Sequence, residues 1–579
     1  MTRGVSALTG LALTGLVLTL VVPDPADGIV QATELSPACD TTANLSTAAR
    51  WEGELVSGKR VCLALYLEHG QFARVRVETA NAFADFLEAT VLAPGDSVPF
   101  LRVPEGEGNP PAELSWEAHN TGIHTIMLTT PARARGITVA VTEIEDPGVL
   151  AARRRAMATD PRVAWLADRT IPIRTLDPED TEFADLQPLR PLLDDARVVL
   201  LGEADHGDGT DFLAKSRLIR FLHAEMGFDV LAFESGVYDM WRAGREITAG
   251  RDPMVSFAQG AGWIWSQSRQ LEPLVAYVAE TARSPRPLLL AGFDVQGSGS
   301  ISGRVGRLAD TMIVEMRTFL EANRIAGPFA DPQSAETQLL RRLNDYAYRL
   351  VPDSTALAAL ERAIAATAER IALEVNTHEG RYWARILRND ALQAARRWPQ
   401  WPGASRPYCA TEACRTTRDR DPEMAQNLSW LANQLYPGRK IIVWAHNGHI
   451  MRNLSSSEFG NRATYTMGDG VWSEFGARSY AIALVSYEGS SHWPSPQQST
   501  YTIVPDQRRE AEFEELMAAT GRRSGLVDFR AAGAEGSWLA QPFFARPLNH
   551  STDRSRWGDN VDAFLFIRTQ EPAVAIPRR

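Results

Sequence analysis

Residues 197–236 read RVVLLGEADHGDGTDFLAKSRLIRFLHAEMGFDVLAFESG, and this stretch decides the fold. After Arg197, four branched apolar residues, Val198 to Leu201, stop at Gly202, and Glu203, Asp205, His206 and Asp208 follow at once. A continuous apolar run of this kind marks a strand buried on both faces, and α/β sheets carry their chemistry just beyond the carboxyl ends of such strands. Phe212, Leu218, Ile219, Leu222 and Met226 then recur near helical spacing, and Gly227 stands where a left-handed cap ends a helix. A second run, Val230 to Phe233, ends on Glu234. Right-handed crossover in such a β-turn-α-β unit puts both carboxyl ends on one edge, so Glu203, His206 and Glu234 are expected to converge. Singly, each has a plainer reading as a helix cap or turn residue; three ionisable groups at matching strand ends favour a site.

Working outward, Pro287 to Gly292 is a third core strand followed by Asp294, and Lys440 to Ala445 is another, ending at His446-Asn447-Gly448-His449. Ser479 to Val485 and Asp562 to Ile567 supply late strands. Alternating β and α segments over residues 191–570 predict an α/β domain with a mostly parallel sheet. Residues 304–398 carry Leu357, Leu360, Ile364 and Ile371 at helical spacing and predict a helical insertion over the cleft. Met467-Gly468-Asp469-Gly470 is expected as a binding loop, and residues 146–190 as a connector. Short segments such as Val75 to Glu78, His124 to Leu128 and Ile137 to Val141 predict an accessory antiparallel β-sandwich over residues 35–145.

At 579 residues the chain should hold two to four domains of about 150 residues each. A net charge of −11 without a basic run excludes nucleic acid or an anionic membrane surface as the main partner and leaves a small neutral or cationic molecule. The apolar run Leu8 to Val22 follows Arg3 and is shorter than the roughly 20 residues that span a bilayer. It predicts a signal peptide over residues 1–32 and an exported, periplasmic or extracellular protein, attached to a membrane only if the signal stays uncleaved. Four cysteines in an exported chain suggest the disulfides Cys39–Cys62 and Cys409–Cys414.

The chemistry can be narrowed by elimination. No core strand ends in the G-x-S-x-G elbow of a serine hydrolase, Ser235 lacks the flanking glycines, and the acidic GEADHG turn would repel a phosphate. What remains is histidine and carboxylate chemistry on water. His206 can deprotonate water, Glu203 or Glu234 can orient its ring, and His446, His449 or Lys215 can hold a developing oxyanion. The set His206, His446, His449 and Glu203 also offers the nitrogen and oxygen ligands that zinc accepts.

Gly202-Glu203-x-x-His206-Gly207, Lys215 and Arg217-Leu218 on the next helix, Gly227-Phe228, Glu234 and Trp444-Ala445-His446-Asn447-x-His449 together resemble the erythromycin esterase family. Asp294, Arg420-Asp421 with Met424 and Asn427, and Met467-Gly468 extend the resemblance over residues 160 to 570. It implies an ester hydrolase without a cofactor, acting on a small-molecule ester or lactone. His206 would be the general base, with Glu203, Glu234 and His446 as catalytic partners. His449, Lys215, Asp294, Asn447 and Met467 would bind substrate. Two departures bear on the substrate: Asp205 replaces the threonine common before the motif histidine, and Asp208-Gly209-Thr210-Asp211 adds acids that raise the pKa of an imidazole nearby. The substrate therefore need not be a macrolide. The competing readings are a metal-dependent hydrolase or peptidase built on Glu-x-x-His, and a non-catalytic exported binding protein.

Overall fold

The structure, a computed structural model, describes residues 21–23, 29–31, 39–47, 50–79, 87–96, 99–103, 112–130, 134–295, 305–343, 354–397, 420–454, 465–494, 500–505, 510–530, 533 and 536–576. It divides into two units, Met1–Ile144 and Glu145–Arg579.

The first unit carries the expected sandwich sheets. One has five strands, in the order Thr41–Asn44, Val61–Leu67, Gly122–Thr129, Glu88–Leu92 and Leu101–Val103. The other has four, Arg50–Leu55, Ala134–Glu145, Phe72–Thr79 and Ala112–Glu117. Period-two alternation buries Val75 and Val77 while Arg76 between them stays partly exposed. Pairing is antiparallel where Gly122–Thr129 meets Val61–Leu67, whereas Thr41–Asn44 runs parallel to Val61–Leu67. The Cys39–Cys62 disulfide is present. Cys409 and Cys414 lie outside the described residues, as does most of the expected signal segment; of it, Val21–Pro23 and Ile29–Gln31 pair antiparallel. Among the described residues no helix is long and apolar enough to cross a membrane.

The second unit is built on one large sheet. Its strands are β1 (Val198–Leu201), β2 (Phe228–Gly236), β3 (Leu289–Asp294), β4 (Lys440–Trp444), β5 (Ser479–Ser491), β6 (Ser524–Asp528) and β7 (Ala563–Gln570). The spatial order of these seven is β6-β7-β5-β1-β4-β2-β3, parallel except β6 against β7, and two short strands, Ile171–Pro172 on β6 and Tyr501–Ile503 on β5, add further antiparallel pairs. Alternate residues feed two cores: Val198 and Leu200 of β1 join one face, Val199 and Leu201 the other. That double burial is why β1 reads as an unbroken apolar run.

Helix α1 (Gly209–Met226) follows β1 and ends at Gly227 with φ 76°, the left-handed conformation a glycine cap supplies. It and β2 form the expected crossover, with β4 inserted between β1 and β2. Helix α2 (Val237–Thr248) follows β2. The insertion consists of α3 (Val305–Ala322), α4 (Ala335–Leu343), α5 (Ser354–Glu374) and α6 (His378–Arg397). It docks through aromatic contacts, Tyr382 of α6 stacking on Trp241 of α2 at 4.7 Å. His378 stands exposed at the first residue of α6, with its ring against Tyr382 and Tyr436.

Two sequence expectations change here. The stretch 146–190 is no free connector: Val163, Trp165 and Leu166 enter the core of the second unit, and Ile171–Pro172 pairs with β6. Nor is Met467-Gly468-Asp469-Gly470 a loop. It is the first turn of helix α8 when α7 is the helix described from Arg420 to Trp430; α8 runs Met467–Phe475, and Thr466 and Asp469 form its capping box.

Candidate active site

Because β3, β2, β4 and β1 lie side by side and parallel, their carboxyl ends align Asp294, Glu234, His446 and Glu203 along one edge. Glu203 is fully buried and accepts three hydrogen bonds, from His206 Nδ1 at 2.7 Å, Lys215 Nζ at 2.6 Å and Trp265 Nε1 at 2.7 Å. Burial pushes its carboxyl up, but the Lys215 charge and the His206 bond outweigh that and hold it below the usual range. Lys215 lies wholly inside, 3.8 Å over the Trp444 ring, and burial draws its pKa down against the pull of Glu203. Expected at the substrate, it is instead fully buried, and its Nζ donates to Glu203 and to Ala445 O.

With Nδ1 donating to Glu203, the other nitrogen of His206 carries the lone pair, and Nε2 has no hydrogen-bond partner among the described residues. The rings of Trp265, His446 and Trp493 surround it at 5.2, 5.2 and 5.6 Å. Burial lowers the His206 pKa, yet the Glu203 bond and the carboxylates of Glu203, Glu234 and Asp205 raise it further, so the net shift is upward.

His446 differs in kind. Its Nδ1 accepts from Gly448 N–H at 3.0 Å, capping the short helix Asn447–Ile450, so its proton sits on Nε2 and is donated to Ala204 O at 2.8 Å and Asn549 Oδ1 at 3.1 Å. Burial, and then the neighbouring His206 and His449 charges, lower its pKa, which agrees with a neutral ring.

His449 is the opposite case. Nδ1 meets Asp421 Oδ2 at 2.9 Å and Nε2 meets Glu234 Oε1 at 3.1 Å, so both nitrogens face carboxylates. Burial works against its charge, but Glu234 and Asp421 overcome it and push the pKa up to about 10. Glu234 is held well below the carboxylate range despite burial, by His449 first and Arg420 next, and its Oε2 accepts His446 N–H at 3.0 Å. Arg420 forks onto Asp294 at 3.0 and 2.7 Å and reaches Glu234 at 2.8 Å, while its Nη1 approaches His449 Nε2 at 3.3 Å. The geometry thus joins Asp294, Arg420, Glu234, His449 and Asp421 in one chain of alternating charge.

Two expected substrate contacts fall elsewhere. The Asn447 amide is fully buried and bonds backbone only, donating to Leu484 O and Pro547 O and accepting Leu484 N–H. The Met467 side chain is fully buried in the core, and its backbone N–H donates to Asp421 Oδ2 at 3.0 Å. The conditional metal set of Glu203, His206, His446 and His449 is likewise dispersed into separate hydrogen bonds; among the described residues no three His, Cys, Asp or Glu side chains are grouped to hold a metal ion.

The added acids hold the turn itself. Asp205 Oδ1 accepts Gly207 N–H and Trp493 Nε1–H, both at 2.7 Å, Asp208 Oδ2 accepts Asp205 N–H, and Asp211 Oδ2 accepts Ala204 N–H. Sequence reading missed Trp493, Asn549 and His550. The last two form a two-residue turn between Phe543–Leu548 and Ser551–Ser555, with φ of 49° and 52°, as a type I′ hairpin requires. From this tip Asn549 reaches His446 and Ala204, and His550 Nε2 meets Asp208 at 2.9 Å. No motif marks them; only the fold brings them there. Arg420-Asp421 did carry a signal, as part of the family pattern, without an assigned role.

Residues 223–570 match the family model described as erythromycin esterase. The chain is 25% identical to the putative hydrolase YbfO of Bacillus subtilis (strain 168) over 429 residues, 69% of this chain and 90% of that one. It is 24% identical to the erythromycin esterase type I of Escherichia coli over 399 residues, 64% of this chain and 91% of the relative. A crystal structure of a Bacillus cereus protein superposes with TM-score 0.58 at 19% identity, covering 72% of this chain and 99% of that one, and shares the fold. These findings class the chain as a hydrolase. It belongs to the erythromycin esterase family.

Proposed function

We propose that this chain hydrolyses a carboxylic ester or lactone of a small molecule, with His206 as the general base. The observation that carries this reading is the single free lone pair of the cluster: Glu203 holds His206 Nδ1, and Nε2 is left without a partner among the described residues. His206 Nε2 takes a proton from water as the oxygen adds to the carbonyl carbon, and Glu203 stabilises the imidazolium that forms. The carbonyl oxygen becomes an oxyanion. Arg420, partly exposed at 26% and rigidly forked onto Asp294 and Glu234, supplies the cation for it, with the charged His449 behind. When the tetrahedral centre collapses, the alkoxide leaves with the proton returned from His206, giving one acid and one alcohol. His446, with both nitrogens engaged, positions the turn that carries the base.

His206→Ala should lower kcat/KM on a panel of ester and lactone substrates by about 10²- to 10⁴-fold with an unchanged melting temperature. Full activity in that variant would rule out the assignment. The same reading places the protein outside the cytoplasm, supported by the Leu8 to Val22 segment and the Cys39–Cys62 disulfide, and cell fractionation tests it.

A further inference from the structure

We infer that Trp493 and Trp263 form a specificity wall for a flat aromatic group of the ester, held in place by Asp205; this rests on the hydrolase reading above. The wall stands beside the His206 ring. Trp493 lies 5.6 Å from the His206 ring, and Trp263 lies 6.0 Å from Trp493 in ring-centroid distance. Both indoles are partly exposed, unlike Trp265, which is buried and donates to Glu203. The ring surface that such a half-buried indole pair leaves open gains by being covered.

Asp205 gives the pair its rigidity. Its buried carboxylate takes the Trp493 N–H at 2.7 Å, together with Gly207 N–H at 2.7 Å and the Ser491 hydroxyl at 3.3 Å. The polar edge of Trp493 is therefore satisfied by the protein, and what it offers a ligand is ring surface. All three donors converge on one oxygen, Oδ1, which suits a charged carboxylate, the stronger acceptor. Ring surface fixed in this way rewards a planar π system more than a flexible alkyl chain of equal size, because aromatic pairs gain beyond the area they bury. The neighbouring carboxylates disfavour an anionic ester, so the group is an aryl or fused-ring ester without negative charge.

The test compares phenyl acetate with hexyl acetate, which have equal carbon counts, on wild type, Trp493→Leu, Trp493→Phe and Trp263→Leu, each first shown to be folded by thermal unfolding. Expected is a drop of about fivefold in the aryl-to-alkyl ratio of kcat/KM for either leucine variant, with the ratio largely kept by Trp493→Phe. A ratio unchanged in both leucine variants, or equal loss of both esters, overturns the wall. A second arm uses the uncleavable ketones acetophenone and 2-octanone, followed by tryptophan fluorescence. If wild type cleaves neither ester yet binds acetophenone more tightly, and Trp493→Leu abolishes that preference, the wall stands and the hydrolase reading falls. Absence of any aryl preference in binding removes the wall whatever the activity.

Discussion

Asn549 Oδ1 lies 3.1 Å from His446 Nε2, and the residue that makes this bond sits at φ 49°, in the left-handed region. An asparagine tolerates that conformation, but glycine adopts it more easily. The bond and the backbone preference therefore separate experimentally.

Asn549→Gly removes the acceptor while relieving the turn. Thermal stability should stay level or rise, whereas ester hydrolysis should fall by about threefold to tenfold, the weight of one hydrogen bond. Nitrogen NMR of His446 should show a less exclusive Nε2–H tautomer. Unchanged activity with an unchanged tautomer would reduce Asn549 to a turn residue.

Lys215→Met leaves Glu203 fully buried with His206 and Trp265 but without its cation. Removing one partner of a buried pair costs about 3 to 5 kcal/mol, which denaturant unfolding would read. With Lys215 gone, more of the Glu203 charge is left to His206, so the His206 pKa should climb further in an NMR titration. A stability change within error would contradict the buried pairing.

The acid and base limbs follow from two histidines. His206 works only when neutral and its pKa is raised, so the rising limb of kcat/KM should lie above pH 6.5, its ordinary value. His449 has a folded pKa of about 10, so the stability it contributes is complete below about pH 6.5 and is lost as pH rises through 10. Glu234 is depressed, so its contribution is present above 4.5 and is lost as pH falls through its folded value. Denaturation midpoints measured across pH should thus decline at both ends, and His449→Gln should remove the alkaline decline.

Gly202→Ala tests the close approach behind the motif. A Cβ at this position would overlap the Asn447 amide oxygen and press on Ile450. Because that amide bonds Leu484 and Pro547, it cannot swing away without breaking buried hydrogen bonds. A loss of about 1 to 3 kcal/mol is expected by denaturant unfolding, and a neutral effect would show that the turn can yield.

Much of the frame was legible because it depends on local pattern. The run Val198 to Leu201 is a strand as read, the run read as Lys440 to Ala445 is one over Lys440–Trp444, and the two pair in parallel. Less legible were Lys215, Asn447 and Met467, which a motif places near the site but which the fold turns inward. Their neighbours in space decide this: Trp444 beneath Lys215, Leu484 and Pro547 around Asn447, and the core around Met467. The segment 146–190 went unrecognised as core because its apolar residues are few and need β6 and the sheet face to bury them.

By itself the sequence determined which chemical groups arrive at the sheet edge, since strand periodicity and handed crossover put Glu203, His206, Glu234, Asp294 and His446 at carboxyl ends wherever the strands pair. Only the tertiary structure decided what each group is there. Three histidines of equal composition become one whose Nε2 has no partner among the described residues, a neutral spacer and a fixed cation, because Glu203, the Gly448–Asn549 pair and the Glu234–Asp421 pair hold them differently. Those partners come from segments far apart in the chain, and a proton's position is set by the hydrogen bonds around it, which no local pattern of residues contains.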